Sequence, residues 1–305
     1  MTDTLIDLQR ERTFSEKINA TFQYITANLG SLLRCVLYIS GPLILLGAIG
    51  VGALTGGVTG SFGGLSLASV LSFFAYFFAF MVVPLVLSAH MKVYEREAGG
   101  PVTTGAVLGE VWAAVGTALL VNVVLVILMV IVLLLSTFVM GLLIASARLL
   151  NPWFASVFSL LIVIPIYGVA AILSLTTPII VFERGGVGYT LGRCFTLVSG
   201  KVWSTIGLLA VMAAIVYNLL LLVFVPYIAV AVVKPLVGFF ELPAFVTILF
   251  ASFGVLAVAA ITSIIIIAVN FQYFNLVERR EHPGLIARIA TIGTNPTPTP
   301  DVETY

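Results

Sequence analysis

The stretch VYEREAGG at residues 93–100 reads like a charged turn behind an apolar helix, but VFERGGVG at 181–188 and LVERREHPG at 276–284 place the same Glu-Arg pair at the same kind of boundary. A fourth pair, Glu11-Arg12, stands near the start, so four of the ten glutamates are followed by arginine, where composition alone gives well under one. The pairs recur after 84, 88 and 95 residues, a period that marks an internal repeat.

Behind each pair runs a segment whose apolar residues share one spacing: Ile18, Phe22, Ile25; Leu108, Trp112, Val115; Leu191, Phe195, Val198; Leu285, Ile289, Ile292. Positions i, i+4 and i+7 form one face of a helix. Thr13 followed by Glu16 predicts a capping box at the first of these helices. Pro283 suits the first turn of the last one.

What lies between the pairs is membrane-like. The chain is 61% hydrophobic and only 9% charged, against roughly 25% charged in soluble domains. Apolar stretches near the roughly 20 residues that cross a hydrocarbon layer fall at 35–54, 65–87, 118–144, 158–182, 206–230 and 246–269. The predicted architecture is therefore an all-α integral membrane protein with six transmembrane helices. These make three same-topology repeats, each an interfacial amphipathic helix plus a two-helix hairpin, and a fourth amphipathic helix closes the chain. In residues, 1–12 form an N-terminal tail, 13–96, 97–184 and 185–279 the repeats, 280–293 the last amphipathic helix, and 294–305, with its TNPTPTP run, a disordered tail.

Twelve Lys and Arg fall on the side of the termini and only Arg148 and Lys234 on the other. The positive-inside rule then predicts cytoplasmic N- and C-termini in a multi-pass inner-membrane protein. The chain opens without a basic segment followed by a short apolar one, so no signal peptide is expected. A net charge of +1 gives no field that would recruit nucleic acid.

Catalytic templates find no purchase. His90 and His282, the two histidines, are expected at the cytoplasmic surface, where they cannot build an intramembrane metal or Ser/His site. Cys35 and Cys194 make no metal spacing and read as apolar fillers. The expectation is no enzyme, no cofactor and no metal. Gly99-Gly100 and Gly185-Gly186 read as breakers between a span and an interfacial helix. Prolines 42, 84, 165, 178 and 226 lie inside spans and predict kinks. Asn122, Asn218 and Asn270 are the polar residues within or beside the apolar layer, candidates for contacts between helices or with a substrate, Asn218 lying deepest.

The Glu-Arg pairs remain. Arginine at a helix C-terminus complements the macrodipole and meets lipid phosphate, whereas glutamate there opposes the dipole and needs a partner. Glu95, Arg96, Glu183, Arg184, Glu278 and Arg279 are therefore read as an interaction collar, each glutamate reaching a basic residue such as Lys17, Arg193 or Arg288 on a neighbouring unit's interfacial helix.

The segments LGRCFTLVSGKVWSTIGLLAVM and FQYFNLVERREHPGLIARI resemble uncharacterised bacterial six-span proteins similar to the membrane domain of some glycerophosphoryl diester phosphodiesterases. The likeness covers most of 14–293. It implies fold and membrane location; the hydrolytic barrel of the fused proteins is missing from this chain, so no catalytic residue carries over. Mitochondrial-type carriers also have three two-span repeats, but place the interfacial helix inside each hairpin and end odd spans in a motif not found here. The expected function is a non-enzymatic membrane scaffold or accessory subunit working through its cytoplasmic collar. Its partners would be membrane lipids and a membrane protein or second copy; the alternative is a permease or lipid-handling transporter with a path between the hairpins.

Overall fold

A computed structural model describes residues 6–55, 67–148, 167–237 and 244–283, with isolated positions 286 and 289. Among them the chain is all-helical, without strands. The helices are α1 Phe14–Ile39, α2 Gly41–Thr55, α3 Leu67–Arg96, α4 Thr104–Arg148, α5 Thr176–Glu183, α6 Val187–Val198, α7 Val202–Val237 and α8 Ala244–Glu281. Four helical stretches are long and apolar enough to cross a membrane: Val70–Arg96, Thr104–Leu142, Val202–Pro226 and Phe253–Glu281. Two bent pairs, Phe14–Ile39 with Gly41–Ile49 at 56° and Tyr167–Glu183 with Val187–Val198 at 119°, raise the number to six if each is one span. Of the stretch expected at 158–182, residues 158–166 lie outside the described residues.

The helix ends follow local chemistry. Thr13 caps α1 as predicted: its side chain accepts from the Glu16 amide, and Glu16 Oε2 accepts from the Thr13 amide at 2.7 Å. α1 then runs past the expected end of the interfacial helix to Ile39, because nothing between Asn28 and Arg34 stops it: Gly30 is spaciously placed and helical. The break comes at Ser40, just before Pro42, which has no N–H to give the carbonyl four residues back. In the second unit lead helix and span are fused outright. α4 is one helix of 45 residues, about 67 Å at 1.5 Å per residue, more than twice the ~30 Å hydrocarbon layer. Only the third unit shows the expected separation, where Gly200 at φ +78 parts α6 from α7.

At all three internal Glu-Arg boundaries the chain leaves its helix through a left-handed residue, and in each case one that is not glycine: Ala98 (φ 48), Arg184 (φ 53) and His282 (φ 52). The glycine reading needs correction here. Gly99 is left-handed too (φ 81), but Gly186 is extended (φ −72, ψ 177). Gly185 is required for space, since a Cβ there would stand 2.0 Å from the Tyr189 ring. Arg184 N–H bonds the Ile180 carbonyl and His282 N–H that of Glu278, which closes the last turn of each helix.

The buried core lies towards the end where these boundaries gather. It takes one face each of α1, α4 and α6, Ile44 of α2, and runs of α3, α5 and α8 buried all round, with Tyr24, Phe271, Leu85, Leu87, Met91, Ile179 and Ile267 among its largest fully buried side chains. On the three lead helices the buried positions fall in one register: Lys17, Thr21, Tyr24; Val107, Val111, Ala114; Thr190, Cys194, Leu197. The apolar stripe picked out by sequence is the neighbouring row, and much of it faces outwards. Leu108 and Trp112 are exposed, as are Phe195 and Ile289. In a chain of this composition an exposed apolar side chain meets lipid, so the stripe is the membrane-facing row and the helix buries the row beside it. Farther along α4 the side chains of Leu133, Leu134, Leu135 and Phe138 are exposed on every side, as expected for a span solvated by acyl chains.

Candidate functional site

The polar groups of the core end form two layers. The outer one is a circuit of separate ion-pair and hydrogen-bond clusters, joined to one another through the backbone, on the N-terminal segment, α3, α4, α5, α6 and α8. Gln9 Nε2 donates to Glu95 Oε1 at 2.7 Å and joins the N-terminal segment to α3. Glu110 of α4 lies under three cations: Lys92 Nζ at 3.2 Å, Arg96 Nη1 at 3.5 Å and Arg184 Nη2 at 2.7 Å. Lys92 also donates to the Val181 carbonyl at 2.6 Å. Arg193 of α6 holds Glu183 through Nε, at 3.1 and 2.9 Å to its two oxygens, and with Nη2 reaches Glu281 of α8. Tyr273 and Tyr189 both donate their hydroxyls to Glu183. Arg279 Nε stands 3.7 Å from Glu11, and Arg12 N–H donates to Asn275 Oδ1 at 2.8 Å, which returns the circuit to the N-terminal segment.

The collar residues are thus brought to one end, with partners that differ from those expected. Glu183 does reach Arg193. Glu95 takes a neutral amide instead of a cation, and Glu278 is buried at 6% exposure. Arg288 lies outside the described residues. Lys17 is no partner of a glutamate: at 2% exposure it points inwards and donates to Gln272 Oε1 at 2.7 Å. Two arginines of the pairs, Arg96 and Arg184, meet Glu110, a residue sequence reasoning passed over. A signal was available. Glu110 stands two residues after Leu108 as Arg193 stands two after Leu191, and Ala20 holds that place in the first unit. One register position thus carries a carboxylate in α4, a guanidinium in α6 and a small apolar residue in α1.

The inner layer was not foreseen. Gln272 takes the Lys17 ammonium on its oxygen and gives its amide to Thr205 Oγ1 at 2.9 Å, linking α1, α8 and α7. Lys17 forms no ion pair among the described residues; the Phe14 ring, 6.0 Å away, covers it. Beside this, His90 is fully buried, which corrects its expected surface position. Tyr24 Oη lies 2.7 Å from its Nδ1 and Ser31 Oγ 2.9 Å from its Nε2. The Tyr24 ring meets His90, Tyr94 and Phe271 edge-on. Arg12 extends the layer at the N-terminal side, with its guanidinium 5.0 Å over Phe271 and bonded to the carbonyls of Asp7, Leu8 and Arg10. Burial lowers its pKa from the ordinary arginine value, and Asp7 acts in the opposite sense. Paired in this way, buried polar groups lock helices to one register, because each orphaned partner would cost about 1–3 kcal/mol.

Among the described residues the three asparagines do not bridge helices. Each gives its amide to its own helix four residues back: Asn122 to Ala118, Asn218 to Ala214 and Asn270 to Ile266, all at 2.8 Å. Asn218 is exposed, so the deepest candidate faces outwards. Asn270 is fully buried and its Oδ1 has no partner among the described residues. Cys35 and Cys194 are free, buried thiols, as expected for fillers. Among the described residues no group of three His, Cys, Asp or Glu could hold a metal ion. A groove of about 50 Å³ between α1 and α8 is apolar, lined by Ile25, Leu29, Leu32, Leu87, Ala260 and Ile267 among others.

No family model, curated protein or solved structure matches this chain.

Proposed function

We propose that this protein is a non-enzymatic membrane scaffold or accessory subunit, whose polar collar holds the spans in one register and presents a fixed charged rim to a membrane-protein partner or a second copy. The observation that carries the reading is the gathering of ion-pair and hydrogen-bond clusters from separate elements at one end, from Gln9 with Glu95, through Glu110 and Glu183, to Arg279 with Glu11. Its ion pairs join elements of this chain to one another, which suits a rigid rim better than a reaction centre. Asn218, facing outwards and bonded to its own backbone, lends no support to a permease whose path would run through it.

In this proposal the two bent pairs are spans, giving six, and the shared burial register of the lead helices reflects three repeats of one unit. In the same proposal the membrane is a bacterial inner membrane and the collar and both termini face the cytoplasm, an orientation that the Lys/Arg asymmetry supports. The resemblance to the phosphodiesterase membrane domain adds the same location without the catalytic barrel. Native mass spectrometry of the full chain after gentle extraction tests the function. A discrete, stoichiometric protein partner or homo-oligomer is expected; a monomer carrying lipid alone, together with solute flux in reconstituted vesicles, would favour the permease instead.

A further inference from the structure

We propose that Arg96 and Arg184, backed by Lys92, form a binding site for the headgroup phosphate of an anionic phospholipid. The arrangement is layered by sign. The Glu110 carboxylate lies beneath, its side chain 13% exposed, while the two arginine side chains that meet it are each 54% exposed. Lys92, at 23%, fills the floor beside Glu110 and is held there by the Val181 carbonyl. Arg184 engages Glu110 through Nη2 and Arg96 through Nη1, with Arg96 Nε turned to Glu97 at 3.2 Å. A guanidinium carries five N–H donors in a rigid fork, so this rim offers donors outwards after Glu110 is satisfied. Three cations stand against Glu110 and Glu97, and the nearby Glu95 accepts from Gln9.

Depth identifies the ligand. Trp112, 70% exposed, follows Glu110 by two residues on α4, about 3 Å along the axis. Trp203, 77% exposed, and Tyr189, also exposed, belong to the same end of the molecule. Exposed Trp and Tyr with apolar neighbours such as Leu108 settle at the headgroup level of a bilayer. A cationic rim at that depth meets lipid phosphate before any soluble anion. Arg184 reaches it from a left-handed residue at the end of α5, and Arg96 from the last turn of α3. The site thus exists only where the two helices end side by side over α4. It does not rest on the scaffold reading, since a permease would carry it equally.

The test uses the purified full chain in detergent, titrated with dioleoylphosphatidylglycerol or dioleoylphosphatidylcholine and read by native mass spectrometry. The phosphatidylglycerol adduct should dominate. Arg96→Gln with Arg184→Gln should weaken it by at least about fivefold, from ~1 kcal/mol per basic residue at a membrane surface. Glu110→Gln should strengthen it, because it removes the competing carboxylate and leaves the cations. Arg10→Gln, at the same end but outside the cluster, should change nothing. If the double variant does not fold, Arg184→Gln alone, at an exposed position, decides. Equal retention of the two lipids, or a double variant that binds like the wild type, would overturn the proposal. So would a Glu110→Gln chain that loses lipid as the arginine variants do, because the cluster would then be structural only. Displacement of phosphatidylglycerol by inorganic phosphate alone would make it a soluble-anion site.

Discussion

Replacing Arg193 should damage this protein more than replacing the glutamate it holds. Arg193 is shared: Glu183 takes its Nε and Glu281 its Nη2, with the Arg193 and Glu183 side chains only 17% and 14% exposed. Arg193→Gln leaves two carboxylates facing each other without their cation. Glu183→Gln leaves Arg193 neutralised by Glu281, and the glutamine oxygen can still accept from Tyr273, whose hydroxyl now lies 3.0 Å from Glu183. Breaking a buried pair from one side costs about 3–5 kcal/mol when the remaining charge is stranded, which the residual exposure reduces to ~2–4 for Arg193→Gln. Loss of one charge-assisted bond with the geometry kept costs ~1–2 for Glu183→Gln. The pair should couple by ~1–2 kcal/mol in a double-mutant cycle. Reversible unfolding of the purified chain in mixed micelles, followed by far-UV circular dichroism against denaturing detergent, gives the four stabilities. A coupling below about 0.5 kcal/mol, the value of a solvated surface pair, would refute the reasoning. So would an Arg193→Gln variant no worse than Glu183→Gln.

Two further outcomes follow from the inner layer and the packing. Gln272→Leu should destabilise by ~2–3 kcal/mol because it strands the Lys17 ammonium; adding Lys17→Met should recover most of the loss, as measured by the same unfolding assay, since an apolar pair of similar volume needs no hydrogen bonds. Gly47→Ala would put a Cβ 2.8 Å from the Tyr76 ring where α2 crosses α3, and the forced shift of that ring should lower stability by ~1–3 kcal/mol, whereas Gly30→Ala, with open space around it, should not.

Membrane character and helix ends were legible because both are local properties. Hydropathy placed apolar cores within α3, α4, α7 and α8, although α4 begins 14 residues before its expected core and α8 ends 12 after, and Thr13 with Glu16 closed the capping box the sequence announces. The Glu-Arg pairs were legible as boundaries, and all three internal ones do end a helix. The stripe was legible as the apolar face of an interfacial helix, and Leu108, Trp112 and Phe195 of it are exposed; what the sequence did not show is that the adjacent row, polar at Lys17, Thr21 and Thr190, is the buried one. Periodicity finds the angle at which apolar residues cluster, and it does not say whether protein or lipid covers them. The fused helix α4 was missed for a related reason: no proline separates Val115 from Ala118, and Gly116 between them stays helical with open space around it, so the amphipathic turn passes straight into the span.

By itself the sequence determined a helical, membrane-embedded chain with its charge gathered at recurring helix ends, because composition and backbone chemistry act within a few residues. Only the tertiary structure decided which charges meet. Glu110 gathers Lys92, Arg96 and Arg184 across separations of 18, 14 and 74 residues, and Lys17 finds Gln272 across 255. Those pairings depend on helix order and rotation, which follow from packing Tyr24, Phe271 and Met91 into one core. A side chain's neighbours there are set by the whole bundle, and a carboxylate carries no mark in the chain of the cation it will meet.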